Sequence, residues 1–307
     1  MSAFPKFKLN TGSSIPSIGL GTWKASEEDT YHAVLSALEN GYRHIDTAAF
    51  YKNEPAVGKA INDSPVARED IFVTTKLWCT QHKDPKGALK ESLQRLGLSY
   101  VDMYLMHWPV MLKTDKITDG NYLVMPLNAS GGRDTDVENW HFVKTWELMQ
   151  DIPDSGLAKA IGVSNFSINN LKEILKPELG LVVPAANQIE IHPQLPQDEL
   201  IDFCKTHGIL VEAYSPLGST SSPLLSALAV VEVAKKYNVE PAQVLINWGV
   251  SRGYCVLPKS VTPTRIVSNF RKVDLSAEDL QKISDVHKTL GGKRYLDADW
   301  GAFIPFV

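Results

Sequence analysis

Short apolar runs alternate with longer amphipathic stretches along most of this chain. Most of the runs consist of β-branched or other apolar residues and end in a polar residue, a pattern typical of strands buried on both faces. They predict eight strands, over residues 17–22, 43–48, 71–77, 101–107, 158–165, 185–191, 209–215 and 254–260.

Helix patterns fill the intervals between these runs. Between residues 27 and 41 the apolar side chains fall on one stripe, and Gly41 stands where a left-handed residue ends a helix. The same pattern recurs over residues 85–97, and Ser276 with Asp279 after it predicts a capping box at the start of a further helix. Eight strands that alternate with helices favour a closed (β/α)8 barrel, the TIM barrel, over an open doubly wound sheet.

Several segments lie outside this repeat. Residues 7–11 and 15–18 predict an N-terminal β-hairpin, and the whole chain, residues 1–307, is expected to form a single barrel domain. Three segments are longer than short connections need, and two of them follow strand ends, where the loops of a barrel build its active site. They are residues 108–140, 216–228 and 290–307.

Composition and charge exclude several classes of protein. The 31 Lys and Arg residues against 35 Asp and Glu give a net charge of -4 with no basic run, which argues against nucleic acid as the main partner. No apolar stretch approaches the roughly 20 residues that cross a bilayer, and the N-terminus lacks the apolar segment of an export signal. We therefore expect no membrane span and a cytosolic protein. The three cysteines form no CxxC pair, so free thiols and no metal site are expected.

Four polar residues are expected at the mouth of the barrel, because they lie at or just beyond strand ends. The second strand ends in Asp46 with Tyr51 just beyond it, the third ends in Lys76 and the fourth in His107. A lone residue of these types is more often structural, but an ammonium inside an apolar strand needs a partner. Lys76, paired with Asp46, should lower the pKa of the Tyr51 phenol, and His107 would orient a carbonyl oxygen or share the proton. The set predicts donation of a proton to an oxygen that gains negative charge.

A second group of polar residues predicts a cofactor site at the later strand ends. Side-chain amides and a hydroxyl would hold a carboxamide, Tyr214 would stack on a flat heterocycle, and loop hydroxyls would hold phosphates. Two cations and a hydroxyl after the eighth strand predict an anion site. The residues are Ser164, Asn165, Gln188, Tyr214, Ser215, Leu217, Ser219, Lys259, Ser260 and Arg265. Gly19 and Gly21 lack the third glycine of a dinucleotide fingerprint, so no Rossmann domain is expected.

Two long motifs resemble those of a known family. Residues 41–58, GYRHIDTAAFYKNEPAVG, resemble the first signature of the aldo-keto reductases, and residues 257–265, LPKSVTPTR, resemble their cofactor signature. The resemblance runs from the hairpin to the C-terminal tail, and the fungal carbonyl reductases and glycerol dehydrogenase-like members look closest. It implies a barrel, usually monomeric, that uses NADPH/NADP+ to interconvert carbonyl compounds and alcohols. The expected substrates are small aldehydes and ketones, including keto esters.

The resemblance also implies a role for each matching residue. Tyr51 would be the general acid of a hydride-transfer reaction, Asp46 and Lys76 its tuning pair, and His107 the group that orients the carbonyl. The cofactor would be held by Gly21, Thr22, Trp23 and Asp46 at the mouth, Ser164, Asn165, Gln188 and Tyr214 at the nicotinamide, Ser215, Leu217 and Ser219 at the pyrophosphate, Lys259, Ser260 and Arg265 at the 2′-phosphate, and Asn269 at the adenine. An apolar, aromatic substrate pocket is expected from Trp23, Phe50, Trp78, His107, Trp108, Tyr295, Leu296 and Trp300.

Two positions depart from the family pattern, and two other classes of function stay open. Ser268 stands where many relatives carry an acid near the adenine, and Ser221 stands where some carry an aspartate that latches over the pyrophosphate. We therefore expect the cofactor to be released faster than in latched relatives. The alternatives are a barrel that binds NADPH as a redox sensor or structural protein, and a Schiff-base aldolase that uses Lys76.

Overall fold

Two β-sheets are present in the computed structural model, which describes residues 4–219 and 222–306. A two-stranded antiparallel sheet precedes an eight-stranded parallel sheet in which the strands follow one another in chain order. The strands are β1 (Lys6–Lys8), β2 (Ser14–Pro16), β3 (Leu20–Gly21), β4 (His44–Asp46), β5 (Phe72–Leu77), β6 (Val101–Met106), β7 (Ala158–Ser164), β8 (Ala186–Glu190), β9 (Leu210–Tyr214) and β10 (Cys255–Leu257).

The parallel sheet closes on itself through a narrow seam between its first and last strands. Isolated parallel bridges join Ile18 to Val256 and Gly21 to Lys259. The Gly21 amide donates to the carbonyl of Pro258 at 3.1 Å. The predicted (β/α)8 barrel is confirmed, and the edge strands β3 and β10 are the ones that join at the seam.

The strands on either side of the seam are shorter than predicted. The structure gives Leu20–Gly21 instead of residues 17–22, and Cys255–Leu257 instead of 254–260. Pro258 has no N–H group, so the ladder of β10 ends before it. By contrast, all six positions of β5 and of β6 are buried, as expected for strands covered on both faces.

The helices follow the strands and bury one face each in a common core with them. They are α1 (Glu27–Glu39), α2 (Glu54–Asp63), α3 (Pro85–Leu96), α4 (Phe142–Met149), α5 (Ile168–Ile174), α6 (Asp198–Thr206), α7 (Leu228–Tyr237), α8 (Pro241–Ser251), α9 (Pro263–Asn269), α10 (Ala277–Ser284) and α11 (Val286–Leu290). The core contains buried residues of α1 together with buried residues of β4 and β5. Within the described residues, no helix is long and apolar enough to cross a membrane.

The predicted end of α1 is confirmed, and the predicted capping box at the start of α10 is partly confirmed. Gly41, just beyond α1, has φ +98°, which is the left-handed conformation expected there. At α10, Ser276 Oγ accepts from the Asp279 amide at 3.2 Å, but the Ser276 amide donates to the Tyr237 hydroxyl at 2.9 Å. The predicted capping box is therefore only half formed, because a side chain from α7 takes the reciprocal position.

The N-terminal hairpin closes the end of the barrel at which the strands begin. β1 pairs with β2 in the register Lys6 to Pro16, and the chain turns at Gly12, which has φ +85°. β1 ends at Lys8 and not at the predicted residue 11. Leu9 and Ile15 are buried in one cluster with Phe72 and other residues near the starts of the barrel strands. The opposite end, where the strands finish, is left to the long loops and the tail.

Candidate active site

The structure brings the four predicted catalytic residues together at the end of the barrel where the strands finish. Asp46 is the last residue of β4, and Tyr51 ends a short 3-10 helix over Ala49–Tyr51. Lys76 lies in β5, and His107 directly follows β6. Neighbouring parallel strands thus carry these groups to one place.

Lys76 is the centre of this group. Its ammonium nitrogen Nζ donates to Asp46 Oδ1 at 2.7 Å and to the carbonyl oxygen of Thr47 at 2.9 Å. The third contact is with the Tyr51 hydroxyl, at 3.4 Å. The Lys76 side chain is fully buried, so this charge depends on the protein for its stabilisation.

The pKa shifts in this group differ in part from the expectation. Burial favours a neutral Lys76, but Asp46 and Tyr51 outweigh it and raise the pKa of the ammonium. Burial raises the pKa of Tyr51, and Lys76 lowers it as expected without overcoming the burial. The expected effect of Lys76 is present, but the effect of burial on the Tyr51 pKa is larger. Tyr51 is a neutral phenol whose hydroxyl lies beside a cation.

His107 faces the same space as an uncharged imidazole. Burial lowers its pKa well below the usual range, and the charge of Lys76 lowers it further. The ring packs edge-on against Tyr51 at 5.7 Å between centroids and against Trp78 at 5.4 Å. A neutral imidazole has one donor and one acceptor nitrogen, so His107 is suited to donate a hydrogen bond to an uncharged oxygen.

The residues predicted to hold a carboxamide lie directly beside the Asp46–Lys76 pair. Gln188 Nε2 donates to Asp46 Oδ2 at 2.8 Å, and Ser164 Oγ donates to the Gln188 carbonyl at 2.8 Å. Asn165 Nδ2 donates to the carbonyl of His107 at 2.9 Å. Gln188 Oε1 accepts no hydrogen bond from the part of the chain that the structure describes. These amide and hydroxyl groups fit a nicotinamide carboxamide, whose NH2 group needs an acceptor.

Two residues of this region have a backbone conformation that is rare for their type. Asn165 has φ +63° and Ser215 has φ +50°. The Tyr214 hydroxyl donates to Asn165 Oδ1 at 2.8 Å, which ties the end of β9 to the end of β7. Left-handed residues other than glycine persist where the surroundings enforce them, and they cluster at functional sites.

The predicted anion site lies beyond the end of β10. Lys259 and Arg265 are both exposed and form no ion pair within residues 4–219 and 222–306. Ser260 Oγ accepts from the amide of Thr262, just before α9, at 3.1 Å. Asn269 is buried at the end of α9. Free cations at a helix start are suited to a phosphate group.

Of the two departures from the family pattern, only one can be described. Ser268 Oγ donates to the carbonyl of Arg265 at 3.2 Å, within the same helix. Ser221 lies outside the described residues, whereas Leu217 and Ser219 lie in the loop before it. Faster release of the cofactor stays a prediction.

Aromatic rings line the mouth near Tyr51. Trp23 lies 4.8 Å from the Tyr51 ring and is 41% exposed, and Phe50 stacks on Trp78 at 3.6 Å between centroids. Thr22, next to Gly21, donates from Oγ1 to the Asp46 carbonyl at 3.0 Å. The mouth therefore offers an apolar wall around the polar group.

The long loop after β6 and the C-terminal tail complete this wall. Trp108 packs on Trp300 at 4.5 Å, and both belong to a buried cluster with Trp78 against which Leu296 packs. Tyr295 points elsewhere: its hydroxyl donates to Gln194 Oε1 at 2.7 Å. Four aromatic or apolar residues of this wall escaped the sequence analysis, because nothing marks them in irregular segments. They are Leu123, Met125, Phe303 and Phe306.

Comparison with known proteins agrees with this geometry. The sequence model of the Aldo/keto reductase family matches residues 17–288. The chain belongs to this family. Aldo/keto reductases are oxidoreductases that use a nicotinamide cofactor, and this reductase acts on CH–OH groups or the corresponding carbonyls.

Known relatives are similar to this reductase over almost their full length. Aldehyde reductase YPR1 of Saccharomyces cerevisiae is 59% identical over 299 residues, 97% of this chain and 96% of the relative. Glycerol 2-dehydrogenase (NADP(+)) of the same yeast is 58% identical over 298 residues, with the same shares covered. The aldose reductase structure from Schistosoma japonicum superposes with a TM-score of 0.86 at 38% identity, covering 95% of this chain and 94% of that one.

A buried carboxylate holds the tail of the reductase in place. Glu190, at the end of β8, accepts from the amides of Tyr295 at 2.7 Å and Leu296 at 2.8 Å. It also accepts from His192 Nε2 at 2.8 Å, and both side chains of that pair are fully buried. The contact between Glu190 and the tail was not predicted from the sequence.

Glu212 in β9 is a further polar residue that the sequence analysis missed. It is fully buried inside the barrel, next to Gln188. Its signal in the sequence is the one that marked Lys76, an ionisable residue within an apolar run.

Proposed function

We propose that this aldo/keto reductase reduces small aldehydes and ketones, including keto esters, to alcohols with NADPH. The single observation that carries the proposal is the position of the buried Lys76 ammonium, between Asp46 Oδ1 at 2.7 Å and the Tyr51 hydroxyl at 3.4 Å. The names of its yeast relatives, an aldehyde reductase and a glycerol 2-dehydrogenase (NADP(+)), support the same reaction and the same cofactor. A monomer in the cytosol stays a prediction.

In this proposal Tyr51 gives its hydroxyl proton to the substrate oxygen. The cofactor, when bound, would supply the hydride that reduces the carbonyl carbon. His107 donates a hydrogen bond that aims the carbonyl oxygen at Tyr51, and its neutral state keeps a second positive charge out of the site. Lys76 stabilises the phenolate that remains, while Asp46 keeps Lys76 protonated.

The cofactor would be held by residues on four strands and the loops that follow them. Ser164, Asn165 and Gln188 would bind the carboxamide, and Tyr214 would stack on the ring. The exposed, unpaired Lys259 and Arg265 would favour NADPH, because charge-assisted hydrogen bonds to a phosphate are stronger than bonds to a ribose hydroxyl. The remaining proposed contacts are Gly21, Thr22, Trp23, Ser215, Leu217, Ser219, Ser260 and Asn269.

The proposed substrate pocket combines the polar group with its aromatic wall. His107 would orient the substrate, while Trp23, Phe50, Trp78 and Trp108 would contact its carbon skeleton. From the tail, Leu296 and Trp300 would close the pocket, and Tyr295 would act by fixing the position of the tail.

A Schiff-base aldolase is the weaker alternative. Such an enzyme needs an unprotonated lysine amine that can reach a substrate. Lys76 is fully buried, is bonded to Asp46 and Thr47, and has a raised pKa. These contacts favour an ammonium that acts electrostatically.

Replacement of Tyr51 by Phe tests the proposal, because it removes the acid and keeps the ring. We expect Tyr51→Phe to lose at least about 100-fold in the rate of NADPH oxidation with an aromatic aldehyde or a keto ester. NADPH binding, followed by quenching of protein fluorescence, should be nearly unchanged. Tyr122→Phe, at an exposed loop position, is the matched control. Wild-type turnover retained by Tyr51→Phe would disprove the role of Tyr51, and a wild-type protein that binds NADPH without turnover would indicate the binding barrel.

A further inference from the structure

A second carboxyl group lies inside the barrel next to the Asp46–Lys76 pair. Glu212 is fully buried and stands opposite Gln188 of β8 on one side and Cys255 of β10 on the other. Gln188 Nε2 donates to Asp46 Oδ2 at 2.8 Å and contacts Glu212 Oε2 at 3.4 Å. One amide group therefore connects the two carboxyl groups.

The groups around Glu212 supply little positive charge. A ring nitrogen of His44, in β4, and the sulfur of Cys255 lie within 4.8 Å of a Glu212 oxygen. Asp46, also in β4, adds a negative charge. Burial lowers the pKa of His44 to about 3, and burial raises the pKa of the Cys255 thiol, so both are uncharged at neutral pH. On β5, Lys76 is the cation that acts on Glu212, and it is already paired with Asp46.

The strand of Glu212 itself adds no compensating charge. Burial raises the pKa of Tyr214, so its phenol is neutral. Among the described residues, Glu212 Oε1 has no hydrogen-bond partner. Burial, and after it the charge of Asp46, raise the pKa of Glu212 to about 8. Glu212 is thus a neutral acid at pH 7 that ionises just above it, within the barrel and beside the catalytic group.

We propose that Glu212 is a positioning residue which, through Gln188 and the Asp46–Lys76 pair, sets the pH range over which Tyr51 exchanges its proton. The inference rests on the proposed function, because it assigns Tyr51 as the acid. Two carboxylates beside one ammonium leave a net negative charge, which favours the protonated form of a nearby phenol. Ionised Glu212 therefore keeps Tyr51 protonated at alkaline pH and opposes the phenolate that alcohol oxidation needs.

Replacement of Glu212 by Gln tests this inference, since the amide has the shape of the neutral acid and cannot ionise. The measurement is the pH profile of kcat/KM for carbonyl reduction and for alcohol oxidation, from about pH 6 to 10. At the acidic end Glu212→Gln should match the wild type, because Glu212 is neutral there. The pH at which carbonyl reduction falls, and the pH at which alcohol oxidation rises, should both shift lower by about one unit. Glu199→Gln, at an exposed site on α6, is the control and should leave both profiles unchanged.

A spectroscopic measurement on the wild type tests the inference even if Glu212→Gln does not fold. Infrared difference spectra of the wild type, recorded without cofactor, should show a buried protonated carboxyl at pH 7 that disappears around pH 8. The absence of this band, or profiles of Glu212→Gln that superpose on those of the wild type, would overturn the role of Glu212. Failure of the proposed function has a different signature, which is a wild type without carbonyl reduction or an active Tyr51→Phe.

Discussion

Replacement of Glu190 by Gln should release the C-terminal tail from the barrel. The Glu190 carboxylate accepts three hydrogen bonds, from the Tyr295 and Leu296 amides and from His192, at 2.7 to 2.8 Å. Glutamine has nearly the same shape but places an NH2 group where one carboxylate oxygen accepts. One amide of the tail then faces a donor and stays unsatisfied beside the fully buried side chain at position 190.

The size of the effect follows from this geometry. Losing one hydrogen bond to a charged group costs about 1.5–3 kcal/mol, and an unsatisfied buried donor costs about 1–3 kcal/mol. A total of about 3 kcal/mol corresponds to roughly a 100-fold larger opening constant for the tail. Because Leu296 and Trp300 belong to the proposed pocket, we expect KM for the carbonyl substrate to rise more than kcat falls.

Hydrogen exchange measured by mass spectrometry provides the assay. Peptides from residues 290–306 of Glu190→Gln should exchange about 100-fold faster than in the wild type. Peptides from β5 should not change, and Glu199→Gln should behave as the wild type. Equal exchange of the tail in Glu190→Gln and wild type would show that Glu190 does not hold it.

Three further predictions concern the cofactor, acid stability and packing. Arg265→Ala should raise KM for NADPH at least about tenfold and leave KM for NADH within about twofold, and an equal loss for both would refute the phosphate role. Buried His82 has no hydrogen-bond partner in the described part of the chain, and burial lowers its pKa to about 3. Wild-type stability should therefore fall as pH drops from about 6.5 towards 3, by roughly 5 kcal/mol at most from this residue. Denaturant titrations of His82→Leu should show a flatter dependence, and an unchanged slope would contradict the assignment. Gly58→Ala should lower the free energy of unfolding by about 3 kcal/mol or more, because the added Cβ would lie 1.7 Å from the Leu96 carbonyl oxygen. Gly292→Ala is the control, since the nearest atom to its Cβ would be 3.7 Å away. Equal losses of stability in the two variants would refute the clash.

The sequence predicted the architecture well because a parallel barrel has a strong local pattern. Each buried strand is an apolar run, and strand ends meet at one mouth, which is why Asp46, Lys76 and His107 were placed together without a structure. Strand ends were less predictable at the seam, where Pro258 stops the ladder. The single-domain prediction for residues 1–307 stays a prediction.

The features that escaped prediction depend on burial or on distant contacts. Glu190 holds residues 105 and 106 positions further along the chain, and no local pattern encodes such a pairing. The net rise of the Tyr51 pKa was not predicted, because the sequence shows the neighbouring charge of Lys76 but not the extent of burial. Glu212 was overlooked although it is an ionisable residue within an apolar run, as Lys76 is.

Cofactor binding would also affect the seam at which the barrel closes. β3 and β10 are held together by isolated bridges at Ile18 and Gly21 and not by a continuous ladder. Proposed cofactor contacts lie on both sides, with Gly21 and Thr22 on one edge and Lys259 and Ser260 on the other. In the proposed binding mode, a dinucleotide would contact both edges and bridge the seam. Under the proposed function, NADPH binding would therefore also stabilise the closed barrel.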